Sequence, residues 1–137
     1  MGFYILVSAI VFCMFMSIRA LFAPSDMTNQ KISLNDLLWL AFLYGTICVG
    51  FGALYLLFEL KNIIVILENG HNLQGSFFYK LESSLYFSGM TMFSVGYGDL
   101  VPVGLGRPIS AIQAFIGYTL PAAFVVRTVI DYEHVQK

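Results

Sequence analysis

The chain has 137 residues, of which 58% are hydrophobic and 11% are charged, and its formal net charge is −1. Charged residues make up about a quarter of a typical globular chain, so this composition argues against a soluble domain and favours a membrane protein. The seven basic residues are scattered and form no basic stripe, which argues against nucleic acid as a partner. The expected partner is the lipid bilayer.

The first charge-free stretch covers residues 1–18 and ends just before Arg19. Because a helix rises 1.5 Å per residue, about 20 apolar residues cross a bilayer core of about 30 Å. The positive charge lies at the far end of the stretch, the reverse of a signal peptide, although a cleaved segment is the alternative. Residues 1–36 are therefore predicted to form a transmembrane helix followed by a polar linker.

A second charge-free stretch covers residues 37–58. Glu59 and Lys61 follow it, and the chain then becomes apolar again up to Leu67. We predict one helix over residues 37–67. A shorter helix followed by an interfacial segment is the alternative that the pattern leaves open.

After a turn-rich patch at residues 68–75, the segment Lys80–Phe93 is moderately apolar and only 14 residues long. That length is too short to span a bilayer and suits a re-entrant helix, which we predict over residues 82–93. A final apolar helix is predicted over residues 107–130, where Pro108 suits a first helical turn. The expected fold is an all-α membrane protein with three transmembrane helices and a re-entrant helix and loop between the second and third.

The loop at residues 94–99 places Gly96 and Gly98 alternately with larger residues. Glycine tolerates left-handed backbone angles, and alternating left- and right-handed residues can turn successive carbonyl groups toward one side. Irregular backbone at membrane depth is tolerated only where protein buries it or where it lines an aqueous path. The loop therefore indicates a carbonyl-lined ion path.

Residues 90–102, with the sequence MTMFSVGYGDLVP, closely resemble the T-x-x-T-V-G-Y-G-D pore signature of potassium channels. The resemblance extends over residues 37–137 as a pore module with an outer helix, a pore helix, a filter at residues 94–99 and an inner helix. It implies a homotetramer around one pore and a potassium-selective channel subunit, with no catalytic residue and no cofactor. The permeant potassium ions would be bound by the filter residues Ser94, Val95, Gly96, Tyr97 and Gly98, mainly through the carbonyls of the first four.

The chain departs from this signature behind the filter. Ser94 replaces the usual threonine, and Tyr86 and Phe87 stand where many members have two tryptophans. Met90 occupies a position where some members place a glutamate facing the aspartate. The resemblance assigns filter support to Tyr86, Met90, Thr91 and Asp99.

On the inner helix, Gly117 falls at the position that resembles the family's gating hinge. Pro121 removes one helical hydrogen bond and is expected to kink the helix. Val125 and Val129 share a face below it and could form a hydrophobic constriction, with core packing as the alternative.

The resemblance also implies a location. The protein is expected to be a multi-pass protein of a bacterial plasma membrane, with the pore loop entering from outside and the C-terminus in the cytoplasm. Two other functions are left open: a weakly selective cation channel and a non-conducting, channel-like membrane adaptor. An unidentified regulatory subunit is left open as a further partner.

Overall fold

A computed structural model of the chain describes residues 2–22 and 34–135. Most of the predicted polar linker, residues 23–33, lies outside them. The described part contains four helices and three short strands. The helices are α1 (Gly2–Phe22), α2 (Leu34–Leu60), α3 (Phe77–Met92) and α4 (Gly106–Val135), and the strands are β1 (Ile66–Glu68), β2 (His71–Asn72) and β3 (Leu100–Pro102).

Two of the helices are long and apolar enough to cross a membrane, over Leu37–Leu60 in α2 and Gly106–Val126 in α4. The apolar part of α1, Gly2–Ser17, is shorter, so a third transmembrane helix stays a prediction. With 16 residues, α3 spans only about 24 Å at 1.5 Å per residue. Its length agrees with a re-entrant helix, and its placement in a bilayer stays a prediction.

The prediction that the second helix extends to residue 67 is wrong, because α2 ends at Leu60. Asn62 has a left-handed φ of 58°, which ends the helical backbone. The buried Glu59 carboxylate then accepts the amides of Val65 and Ile66 at 2.8 and 3.1 Å. The chain reverses around this side chain, and residues that looked like a helical extension enter a sheet.

The other helix ends also differ from the predicted ones. The pore helix begins at Phe77 rather than residue 82, because the Ser76 hydroxyl caps it by accepting the Tyr79 amide at 3.4 Å. It ends at Met92, one residue earlier than predicted. The inner helix begins at Gly106 and continues to Val135, beyond the predicted end at residue 130.

A small antiparallel sheet with strand order β2-β1-β3 corrects the expectation of an all-α chain. Leu67 pairs with Asn72 on one side and with Val101 on the other. The sheet lies at the end of the molecule where α2 stops and α4 begins. There Gly106 lies so close to Val65, the residue before β1, that an added Cβ would be 2.1 Å from the Val65 carbonyl oxygen.

The helices pack closely at glycines. On one side of α2, the buried Met14 of α1 lies against Gly50, where an added Cβ would be 2.8 Å from its sulfur. On another side, Gly52 faces Leu85 of α3, with 2.6 Å between an added Cβ and a Leu85 methyl group. Because α3 also packs against α4, the half-length helix is held between the two membrane-length helices.

Candidate ion path

The loop between α3 and β3 has an alternating backbone. Ser94, Gly96 and Gly98 have φ values of 56°, 54° and 86°, whereas Val95 and Tyr97 between them are not left-handed. A left-handed φ is uncommon for a residue other than glycine, so Ser94 extends the alternation by one position beyond the two glycines. The glycine spacing predicted this alternation at residues 96 and 98.

Hydrogen bonds attach the start of this loop to the last turn of α3. The Met90 carbonyl accepts the amides of Val95 and Gly96 at 2.9 and 3.4 Å, and the Thr91 carbonyl accepts the Ser94 amide at 3.1 Å. Within the described ranges, no group donates a hydrogen bond to the carbonyls of residues 94–97. The loop thus directs amides back to the helix and leaves carbonyl oxygens available.

The far end of the loop is attached to the sheet. The Asn69 amide donates to the Asp99 carbonyl at 2.9 Å, and Leu100 pairs with Glu68 across β1 and β3. Burial, and after it the neighbouring Asp99 carboxylate, raise the pKa of Tyr86 of α3, so the Tyr86 hydroxyl lies beside Asp99. Sequence reasoning missed the sheet, although Asn69-Gly70 is a hairpin signal.

A tyrosine at the start of α3 adds a further link to β1. The Tyr79 hydroxyl donates to the Glu68 carboxylate, with 2.6 and 2.7 Å to its two oxygens. This hydrogen bond is the largest cause that raises the pKa of Tyr79, and burial and the negative charge of Glu68 act in the same direction. Tyr79 therefore stays a neutral donor at neutral pH.

The residues assigned to filter support contribute in different ways. Met90 and Thr91 act through their carbonyls, and Tyr86 acts through its hydroxyl. Phe87 is buried and packs edge-on against Tyr55 of α2, with 5.0 Å between the ring centroids. Of the four support residues, Met90 and Thr91 thus hold the inner end of the loop, and Asp99 with the neighbouring Tyr86 lies at its outer end.

A buried chain of hydrogen bonds joins α2, α3 and α4 behind the loop. The Tyr55 hydroxyl donates to Gln113 Oε1 at 2.9 Å, and Gln113 Nε2 donates to the Ser88 carbonyl and hydroxyl at 2.9 and 2.7 Å. The Ser88 hydroxyl donates to the Cys48 carbonyl at 2.6 Å. The sequence analysis did not predict these hydrogen bonds, although an amide such as Gln113 inside an apolar helix is a signal of interhelical hydrogen bonding.

We expect replacement of Gln113 by leucine to lower the free energy of unfolding in detergent by about 1–3 kcal/mol, because it leaves the buried Tyr55 hydroxyl without its acceptor and removes the amide that bonds to Ser88. The measurement is chemical or thermal unfolding followed by circular dichroism. The matched control is Gln74→Leu, which makes the same change at an exposed loop position and should shift stability by less than about 0.5 kcal/mol. Equal losses of stability in the two variants would contradict a structural role for the buried hydrogen bonds.

The residues assigned to gating lie along α4. Gly117 is buried against the end of α3, where an added Cβ would be 2.3 Å from the Met92 carbonyl oxygen. Pro121 lies within the helix, which continues past it, and Val125 is exposed on the single chain. The side chain of Val129 lies outside those that the structure describes. Gly117 therefore contacts the pore helix at the Met92 carbonyl.

The chain is similar to one protein family and to individual bacterial proteins. A family model described as "Ion channel" matches residues 46–133, which run from α2 through α4. The chain is 41% identical over 115 residues to Protein LctB of Geobacillus stearothermophilus, an alignment that covers 84% of this chain and 86% of that protein. It is 37% identical over 118 residues to Protein LctB of Bacillus caldotenax, covering 86% and 88% of the two chains.

Proposed function

This chain belongs to the ion channel family, and from that membership we propose that it is the subunit of a potassium-selective channel. The observation that carries the proposal is the alternating loop at Ser94, Gly96 and Gly98, whose neighbouring carbonyls accept no hydrogen bond from the described residues. Backbone carbonyls in such an arrangement can replace the water shell of a potassium ion.

The same loop supports a homotetramer. One chain supplies one strand of carbonyls, and a potassium filter is built from four such loops around an axis. The side chains of Val95 and Tyr97 are 47% and 74% exposed on the single chain. Four copies would cover them by packing the loops side by side, and the exposed Phe93 and Val125 would then face the ion path below the filter.

The proposed channel lies in the plasma membrane of a bacterium. The sheet and the outer end of the filter lie at the end of the molecule where α2 ends and α4 begins. In the proposed orientation the pore loop enters from outside, so this end faces outward. The C-terminus then lies in the cytoplasm, and α1 adds a third membrane helix that packs on α2. Ion conduction through such a path needs no covalent step and no catalytic residue.

We expect the purified protein in a planar lipid bilayer, with potassium on one side and sodium on the other, to give a current that reverses near the potassium equilibrium potential. The matched control is the same bilayer without protein. The physical reason is that a fixed ring of carbonyls compensates the dehydration of potassium better than that of sodium.

Two other results would replace the proposal. A current that reverses near zero would identify a weakly selective cation channel, for which the replacement of threonine by Ser94 in the innermost site would be the first cause to examine. Absence of current from correctly assembled tetramers would identify a channel-like adaptor.

A further inference from the structure

Pro121 leaves one carbonyl of α4 without a helical partner. In an α-helix, the carbonyl of residue 117 accepts the amide of residue 121, and proline has no amide hydrogen to donate. Gly117 is buried, so a free carbonyl there would be costly in an apolar surrounding. The Tyr44 hydroxyl of α2 donates to this carbonyl. The outer helix thus supplies the donor that the inner helix lacks.

The same tyrosine also contacts the base of the pore helix. Its ring stacks on Phe93, with 5.6 Å between centroids and 30° between planes. Phe93 is the C-cap of α3 and directly precedes Ser94, the first residue of the alternating loop. Gly117 in turn lies against the Met92 carbonyl. One side chain of α2 therefore touches both the proline-containing part of α4 and the start of the loop.

We propose that Tyr44 is a positioning residue that couples the bending of α4 at Gly117–Pro121 to the inner end of the filter, and thereby sets the balance between open and closed channels. While its hydroxyl holds the Gly117 carbonyl, the inner helix stays at a fixed position against the pore helix. When the bond breaks, the carbonyl must find another donor, and α4 has to move to find it. The proposal rests on the proposed channel function.

The test is a double-mutant cycle between Tyr44→Phe and Pro121→Ala. Phenylalanine keeps the ring that stacks on Phe93 and removes only the hydroxyl. Alanine at position 121 restores the helical amide, so the Gly117 carbonyl no longer depends on Tyr44. The unmodified protein, both single variants and the double variant are recorded as single channels in planar bilayers. Tyr4→Phe, an exposed tyrosine of α1, is the matched control.

Tyr44→Phe is expected to change the ratio of open to closed time by at least about threefold, the effect of losing one hydrogen bond, and to leave the reversal potential unchanged. In the Pro121→Ala background the same substitution should change the ratio by less than about 1.5-fold, within the few tenths of a kcal/mol that separate additive sites. Equal effects in the two backgrounds, or no effect in either, would overturn the proposal.

A second readout separates this inference from the proposed function. The same four proteins are unfolded thermally in detergent, which does not depend on conduction. Tyr44→Phe should lower the unfolding midpoint only where Pro121 is present, and an equal loss in both backgrounds would overturn the role of the freed carbonyl. Failure of the proposed function would instead appear as absence of a potassium-selective current from the unmodified protein.

Discussion

Replacing Gly96 by alanine is expected to abolish the potassium selectivity that we propose for this chain. Gly96 has a φ of 54°, and an L-residue with a side chain pays about 1–2 kcal/mol in that conformation. No atom of the described residues lies within 4 Å of an added Cβ at this position, so the penalty comes from the backbone itself. In a tetramer this strain would occur four times in one ring, and the neighbouring carbonyls would rotate away from the ion path. The measurement is the reversal potential between potassium and sodium.

Gly70 provides a matched control for this prediction. It has a φ of 84°, and no atom of the part of the chain that the structure describes lies within 4 Å of an added Cβ, but it lies in the turn between β1 and β2. Gly70→Ala should therefore cost a similar amount of stability and leave selectivity unchanged. If Gly96→Ala channels still discriminated potassium from sodium as the unmodified protein does, the alternating loop could not be the selective element.

The parts of the fold that were predicted correctly rest on local signals. The charge-free stretches marked the two helices of membrane length, because crossing a bilayer requires a fixed number of apolar residues. The half-length helix followed from a segment too short to cross, and the alternating backbone at Gly96 and Gly98 followed from residue type alone. Each of these predictions depends on neighbouring residues and needs no knowledge of distant contacts.

Only one turn of the sheet had a local signal, the Asn69-Gly70 pair, and its strands could not be predicted in the same way. Its strands have two or three residues, which is too short for an alternating pattern to be recognised. The pairing of Glu68 with Leu100 joins segments from opposite sides of α3. The apolar residues between Asn62 and Leu67 therefore looked like more helix, when they form a turn around the Glu59 carboxylate and a strand.

The interhelical hydrogen bonds could not be predicted from neighbouring residues in the sequence either. Gln113 and Tyr44 are single polar groups in apolar helices, and their partners Tyr55, Ser88 and Gly117 lie on other helices. Sequence reasoning identified Pro121 as the cause of a missing helical bond. It could not identify the donor that replaces it, because that donor is set by the packing of α2 on α4.

Replacing Gly117 by alanine is expected to disrupt the assembly of the channel and not only its gating. An added Cβ would lie 2.3 Å from the oxygen and 3.1 Å from the carbon of the Met92 carbonyl. Because these are backbone atoms, α3 and α4 would have to separate, at the cost of about 1–3 kcal/mol or more that is typical of overpacking. We expect a lower unfolding midpoint in detergent, measured by circular dichroism, and a smaller yield of the proposed tetramer, measured by size-exclusion chromatography.

The alternative, that Gly117 is only a flexible hinge, predicts the opposite effect on stability. Alanine is favoured over glycine within a helix by about 1 kcal/mol, so a hinge without close contacts would become more stable and would change only its gating. Gly45→Ala is the matched control, since Gly45 lies within α2 and no atom of residues 2–22 or 34–135 lies within 4 Å of an added Cβ there, and it should show that gain. A Gly117→Ala protein as stable as the Gly45→Ala protein would establish the hinge role and contradict the packing role, because the Met92 carbonyl cannot accommodate the new methyl group without moving α3.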